Sequence, residues 1–422
     1  MRRVAITGIG LISPLGNSCT EALTNAIAGR SAIRRIETPW SSRLAAPLAA
    51  CVRFQGEEHF PPPRIRMLDR VSQLALVAAR QAIADARLDV AAADRKRAGV
   101  FIGTGMGGAL STDEGYLSLY RDGCNRMKPF SILMGMTNAP AAWIGIDYDL
   151  TGPNLTYSTA CSSSTVSIGE AWRRLRHGEI DLAIAGGSEA PLSFGALKAW
   201  EALHILASED PSDPSTSCKP FSANRSGFVL GEGAAILVLE DWARAVDRGA
   251  LIHGELLGYG LSTDANHITR PTVAGQAAAM HAALRSDNIA AHAIDSINAH
   301  GTGTQANDSV ETAAIKEVFG ERAYRIPVSA TKAIHGHLLG ATGALELALA
   351  LLALQRDVLL PTMHLKVPAA DCDLDYVANG ARRGAGARTV MSSSFAFGGT
   401  NAVLIASAGG AQRHAAAGEN RP

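Results

Sequence analysis

The chain has 422 residues, is 47% hydrophobic, and balances 39 Lys and Arg against 39 Asp and Glu. That length accommodates two or three ordinary domains or one large core built from two similar halves, and the neutral balance excludes bulk binding to a polyanion such as nucleic acid. No apolar run reaches the roughly 18 residues of a membrane helix, and the six cysteines are scattered without a CxxC pair, which fits a reducing cytoplasm.

The opening RRVAITGIG imitates the basic start and apolar run of a signal peptide. Its β-branched residues and the breaks at Gly8, Gly10 and Pro14 read instead as a first buried strand. A helix follows in RVSQLALVAARQAIADA, then a strand in AGVFIGTG. After Cys161, the helical spacing of Thr165, Ile168, Ala171, Trp172 and Leu175 predicts a helix that begins at or just beyond the cysteine. DLAIAGG and GAAILVLE read as strands flanking SEDPSDPSTSCKPFSANRSG, whose Ser and Pro content predicts an ordered loop or lid.

Near residue 250 the pattern restarts. HGELLGYGLS is a strand, AGQAAAMHAALRSD a helix, AIDSINAHGTGT a strand opening into a loop, and SVETAAIKEVFG a helix. IPVSA, GALELALALLALQ, RTVMSSSFAF and NAVLIAS then give strand, helix, strand and strand. Alternating strands and helices predict an α/β fold. AGVFIGTGMGG and IDSINAHGTGTQ are both apolar strands running into Gly/Thr loops, so residues 1–249 and 250–407 are expected to be related halves, with 408–422 a disordered tail.

Several residues can carry chemistry. Cys161 at a helix start is placed for activation as a thiolate, although a lone cysteine among Ala and Ser also serves as a small buried residue. His300 and His337 lie in glycine-flanked loops after strands, where α/β active sites collect, with His335 two residues from the latter. Lys332 and Glu346 stand in apolar sequence that is costly for a charge unless paired, whether structurally or at a reacting group. Gly398 and Gly399, in SSSFAFGGTN, free main-chain N–H groups for an oxyanion or simply close a hairpin. GTGMGG lacks the acidic residue and helix of a dinucleotide site, no P-loop lysine motif occurs, and GGSEA around Ser188 carries Ala190 where a hydrolase elbow needs glycine.

Taken together, TACSSS, NAHGTGT, SATKAIHGHLLGATGALE and SSSFAFGGTN resemble the β-ketoacyl-acyl carrier protein synthases of type II and the similar ketosynthases of type II polyketide pathways, over nearly the whole chain. The resemblance implies the thiolase fold, five layers of α/β/α/β/α from two similar halves, and a cytoplasmic enzyme. It implies Cys161 as nucleophile, His300 and His337 as enolate-binding histidines, and Lys332 paired with Glu346. Asp308 and Glu311 would support the His300 loop, and Thr302 and Thr304 would bind phosphopantetheine. Phe397 would supply an oxyanion N–H and the gate of the acyl channel, with Met106 facing it, Gly398 and Gly399 in the same turn, and Phe395 near the substrate.

No metal and no resident cofactor are implied, since phosphopantetheine arrives on the carrier protein. The partners implied are acyl- and malonyl-loaded acyl carrier protein, docked near Arg64, Arg66, Arg70, Arg126 and Lys128, and a second subunit. That subunit is either an identical chain or a homologous chain-length factor, with FSILMGMTNAP at the interface. Gly303, Gln305 and His335 depart from the usual pattern. The alternatives are a non-condensing acyltransferase of the same fold and a chain-length-factor-like subunit.

Overall fold

A computed structural model describes residues 1–90 and 93–409. Ten strands form its main sheet: β1 (Val4–Ile12), β2 (Ala98–Gly103), β3 (Asn154–Tyr157), β4 (Leu182–Glu189), β5 (Gly233–Asp241), β6 (Gly254–Thr263), β7 (Ser296–Asn298), β8 (Val328–Ser329), β9 (Thr389–Phe395) and β10 (Thr400–Ala408). Their order across the sheet is β8-β7-β9-β10-β6-β1-β5-β4-β2-β3.

Each set of five strands has the same path. In the first, β1 and β4 flank β5 antiparallel, and β2 runs parallel to β4 and β3. In the second, β6 and β9 flank β10 antiparallel, and β7 runs parallel to β9 and β8. The repeat suggested by two Gly/Thr loops is therefore present at the level of topology. The half-sheets meet edge to edge, Val4, Ala5 and Ile6 pairing antiparallel with Leu256, Glu255 and Gly254.

Side-chain alternation sorts the apolar residues into separate cores. In β5, Leu237 and Leu239 face a central core, while Ile236 and Val238 face an outer one. The central core holds α2 (Ser163–Arg176) and α6 (Thr342–Gln355) between the two half-sheets. The first outer core packs under α1 (Arg70–Asp85). The second packs under α3 (Val273–Arg285) and α4 (Gln305–Phe319). Outer helices, half-sheet, central helices, half-sheet and outer helices make the five layers. Helix α6 is apolar on nearly every face because it is enclosed on all sides.

Close approach of α2 to β6 depends on Gly169, where an added Cβ would lie 2.4 Å from the Tyr259 ring. Gly169→Ala is expected to destabilise the fold by about 1–3 kcal/mol through overpacking, measurable as a lower urea midpoint.

The Ser/Pro-rich segment is an ordered loop. Lys219 Nζ bonds Asp210 Oδ2 at 2.5 Å, Phe221 stacks on Tyr376 with centroids 4.0 Å apart, and buried Arg225 donates to the Thr304 carbonyl. Ala408, expected in the tail, instead closes β10 against Gly254; the rest of that segment beyond Gly409 lies outside the described residues.

Candidate active site

Cys161 sits in the single turn Ala160–Ser162 that leads from β3 into α2. Ala160 holds φ of 49°, and the Ser163 hydroxyl locks the turn by bonding the Ala160 carbonyl and the Thr159 N–H. The following serines are thus structural members of the turn. A nitrogen of His300, a nitrogen of His337 and the Cys161 sulfur all lie within 4.8 Å of one another. They border a cavity of about 230 Å³ shared with Thr302, Phe395 and Phe397.

The elements that deliver the histidines explain this convergence. His300 follows β7, and its loop is drawn onto α4 by Glu311, which accepts from the His300 and Gly301 N–H groups at 2.6 and 2.8 Å. Asp308, also on α4, accepts from the Gly303 and Phe221 N–H groups. Thr304 caps α4, and its hydroxyl lies 2.9 Å from that of Thr302. Gly303 has φ of 76°, and a Cβ there would meet the Gly227 carbonyl at 2.9 Å, which accounts for glycine at this departure. Gln305 donates to the Arg225 carbonyl and so ties the loop to the Ser/Pro-rich segment.

On the other side, α5 (Lys332–His335) ends at Gly336, whose φ of 70° turns the chain so that His337 bonds the Val229 carbonyl through its N–H. Lys332 is fully buried; its Nζ donates to Glu346 Oε1 at 2.8 Å and to the His300 carbonyl. The expected pair exists and physically joins the two histidine loops. His335 turns away, bonding the Thr331 hydroxyl at 2.9 Å.

Electrostatics follow from burial. The Cys161 thiol is pushed up to about 11 by desolvation, against the opposing pull of Lys332 and the Phe397 N–H. The helix-start position therefore does not by itself yield a thiolate; burial dominates. Desolvation and the Lys332 charge hold both His300 and His337 well below 6.5, so both rings are neutral. His300 Nδ1 and His337 Nε2 are buried without a hydrogen-bond partner, whereas His337 Nδ1 lies 2.9 Å from the Thr342 hydroxyl. Such atoms are costly to bury unless a ligand supplies the missing bond.

As pH is lowered through 6.5, nitrogen NMR is expected to show these two imidazoles staying neutral. Because their folded values are depressed, their contribution to stability is present above about 6.5 and is lost as pH falls below it.

In the FGG turn, contrary to the expectation, neither glycine offers a free N–H to an oxyanion, because the Gly398 N–H bonds the Ile268 carbonyl and the Gly399 N–H bonds the Ala396 carbonyl. The Phe397 N–H faces the Cys161 sulfur and favours its thiolate, and Gly398 and Gly399 hold φ of 84° and 77°. Gly398 N–H bonds the Ile268 carbonyl, so residues 264–271 back the turn, a segment that sequence reasoning missed. The Phe397 ring stacks on Trp200 with centroids 6.2 Å apart, and Phe395 meets His300 edge-on at 6.0 Å. Met106 packs in one apolar cluster with Cys161 and Trp200 but does not border the cavity.

Glu189 was also missed, although a carboxylate in an apolar strand signalled it; it is fully buried beside this site. Two basic residues fall out of the docking group. Arg70 pairs with buried Glu232 at 2.7 Å, and Arg64 pairs with Asp147 while lying over Trp143. Arg66, Arg126 and Lys128 remain exposed.

Comparison with known proteins agrees with this geometry. The family described as β-ketoacyl synthase, N-terminal domain, matches residues 1–245, and the β-ketoacyl synthase, C-terminal domain, matches residues 253–366. A 3-oxoacyl-(acyl-carrier-protein) synthase 2 from Staphylococcus aureus (strain COL) is 41% identical over 410 residues, 96% of this chain and 98% of the relative.

Two solved structures superpose with TM-scores of 0.89, each over 97% of this chain and 100% of the other. One is a type II PKS ketosynthase in complex with its acyl-carrier protein and bound to the hexaketide, AntDE:AntF, 30% identical. The other is the ishigamide ketosynthase/chain length factor, 33% identical. With both domains matched in order and a relative covered almost end to end, the chain belongs to the β-ketoacyl synthase family of condensing enzymes.

Proposed function

We propose that this protein catalyses decarboxylative Claisen condensation of an acyl group, held on Cys161, with malonyl-acyl carrier protein to give 3-ketoacyl-acyl carrier protein. The observation that carries this reading is the convergence of one thiol and two neutral imidazoles with unsatisfied ring nitrogens on one cavity.

In the first half-reaction, Cys161 sulfur attacks the carbonyl of an acyl phosphopantetheine thioester. The developing oxyanion is held by the Cys161 and Phe397 N–H groups, and the carrier thiol departs with the proton that Cys161 gives up. Thr302 and Thr304 line the approach of the pantetheine arm. In the second, the malonyl carboxylate leaves as CO2, and the electron pair forms an enolate whose oxygen accepts N–H bonds from His300 and His337. A Thr342 hydroxyl donating to His337 Nδ1 leaves Nε2 as the donor. The enolate carbon then attacks the acyl carbon, and the Cys161 thiolate is expelled and reprotonated from water.

Lys332 and Glu346 keep both loops in register, while Asp308 and Glu311 brace the His300 turn. The pathway, fatty acid or type II polyketide, is set by the acyl chain accepted. No resident cofactor is needed.

The partners fit the surface. An acidic carrier protein is drawn to Arg66, Arg126 and Lys128. β3 ends the sheet with one neighbour only, and Phe130, Ile132, Leu133 and Met136 are exposed near it, which suits a second subunit, identical or a chain-length-factor homologue. Among the described residues no helix is long and apolar enough to cross a membrane; a cytoplasmic location is part of the proposal. Incubation with acyl- and malonyl-carrier proteins, followed by intact mass, tests the function: acyl adducts on Cys161 and ketoacyl product support it, and neither appearing refutes it.

A further inference from the structure

Glu189 closes β4 with no solvent exposure, and its partners are all donors. Oε2 accepts from the Gly105 N–H at 2.6 Å and the Gly340 N–H at 2.9 Å. Oε1 accepts from the Met106 N–H at 3.0 Å and the Thr104 hydroxyl at 3.1 Å. Gly105 and Met106 belong to the loop after β2, which packs near Cys161; Gly340 belongs to the turn that follows His337. A Cβ on Gly340 would lie 2.7 Å from Glu189 Oε2, so the fit leaves no room for a water between them.

We propose that Glu189 is a positioning residue of the condensing site: its carboxylate bolts the Met106 loop to the His337 turn, and its negative charge opposes the positive charge of Lys332 at Cys161. A carboxylate suits the first role because four donors converge on it and an amide would set its own N–H₂ against two of them. It suits the second because charges in this enclosed space are weakly screened. The charged and titratable groups around Cys161 are Lys332 from α5, Glu189 from β4, and His300 and His337 from their loops. Glu189 acts against thiolate formation, and Lys332 acts for it. Burial raises Glu189 itself to about 7, four donated hydrogen bonds notwithstanding, so its charge varies near neutrality. The proposal deepens the condensing reading and rests on it for the role of Cys161.

The test is the rate of Cys161 alkylation by iodoacetamide across the thiol titration, with Cys161→Ala as the background. This readout needs no carrier protein, so it stands or falls separately from condensation. Glu189→Gln is expected to move the midpoint down by about half a pH unit or more, since removing the anion favours the thiolate. Glu189→Asp, which keeps the charge but shortens the reach, is expected to lower the melting temperature and leave the midpoint in place. If Gln does not fold, Glu189→Ala removes the same charge without placing an amide against the converging donors, and shifts the midpoint in the same direction. An unmoved midpoint in the folded charge-weakening variant, or equal shifts in Gln and Asp that follow the loss of stability, overturns the proposal.

Discussion

Cys161→Ala is expected to abolish acyl-enzyme formation and to lower condensation by about 10⁴–10⁶-fold, the range seen when a covalent nucleophile is removed from an otherwise intact site. The side chain is buried, and exchanging its thiol group for hydrogen leaves only a small cavity, so the melting temperature should change little. Malonyl decarboxylation is expected to persist at a measurable level, because in the proposed mechanism the enolate is held by His300 and His337 rather than by the sulfur. Intact mass after incubation with acyl-carrier protein, and carbon dioxide release from malonyl-carrier protein, check the two halves separately. An alanine variant that still accumulates acyl adduct would move the nucleophile elsewhere.

Lys332→Met is the second large effect, and it falls on stability and chemistry together. The ammonium and the Glu346 carboxylate both have no side-chain exposure, and the same ammonium bonds the His300 carbonyl. Removing it leaves the Glu346 carboxylate buried in an apolar helix without a cation, its remaining neighbours being Asn298 at 3.4 Å, the Thr331 hydroxyl and neutral His335 at 3.7 Å. Breaking a buried pair in this way costs about 3–5 kcal/mol. The double variant Lys332→Met with Glu346→Met is expected to recover most of that stability, since two apolar side chains need no partner. It should not recover decarboxylation, because the His300 loop has lost its tie to α5 and the neighbouring positive charge is gone. Denaturant melts and carbon dioxide release on the single and double variants separate the two losses. Recovery of both in the double variant would reduce the pair to a structural role.

The chemistry was legible in sequence where one residue and its local turn suffice. Cys161 before a helical period, His300 and His337 among glycines, and the paired glycines of the FGG turn each announce themselves within ten residues, because helix starts, left-handed turns and glycine-flanked loops are local matters. The alternation of strands and helices, and its restart near residue 250, likewise follow from side-chain periodicity. The family resemblance added the roles.

What sequence could not supply is pairing across the fold. Glu189 sits in a short apolar strand, and its importance appears only when three main-chain N–H groups from two distant loops converge on it. Arg70 looked like a docking cation until Glu232 took its charge, and Trp200, which stacks on the Phe397 ring, carries no local signal of that contact. The sign of the Cys161 shift belongs here too, since a helix start favours the thiolate while enclosure disfavours it, and the depth of burial decides. Local sequence marks which groups can react and where the chain turns, whereas which charges meet follows from the packed fold, because desolvation and Coulomb energy depend on distances that neighbouring residues in the chain do not set.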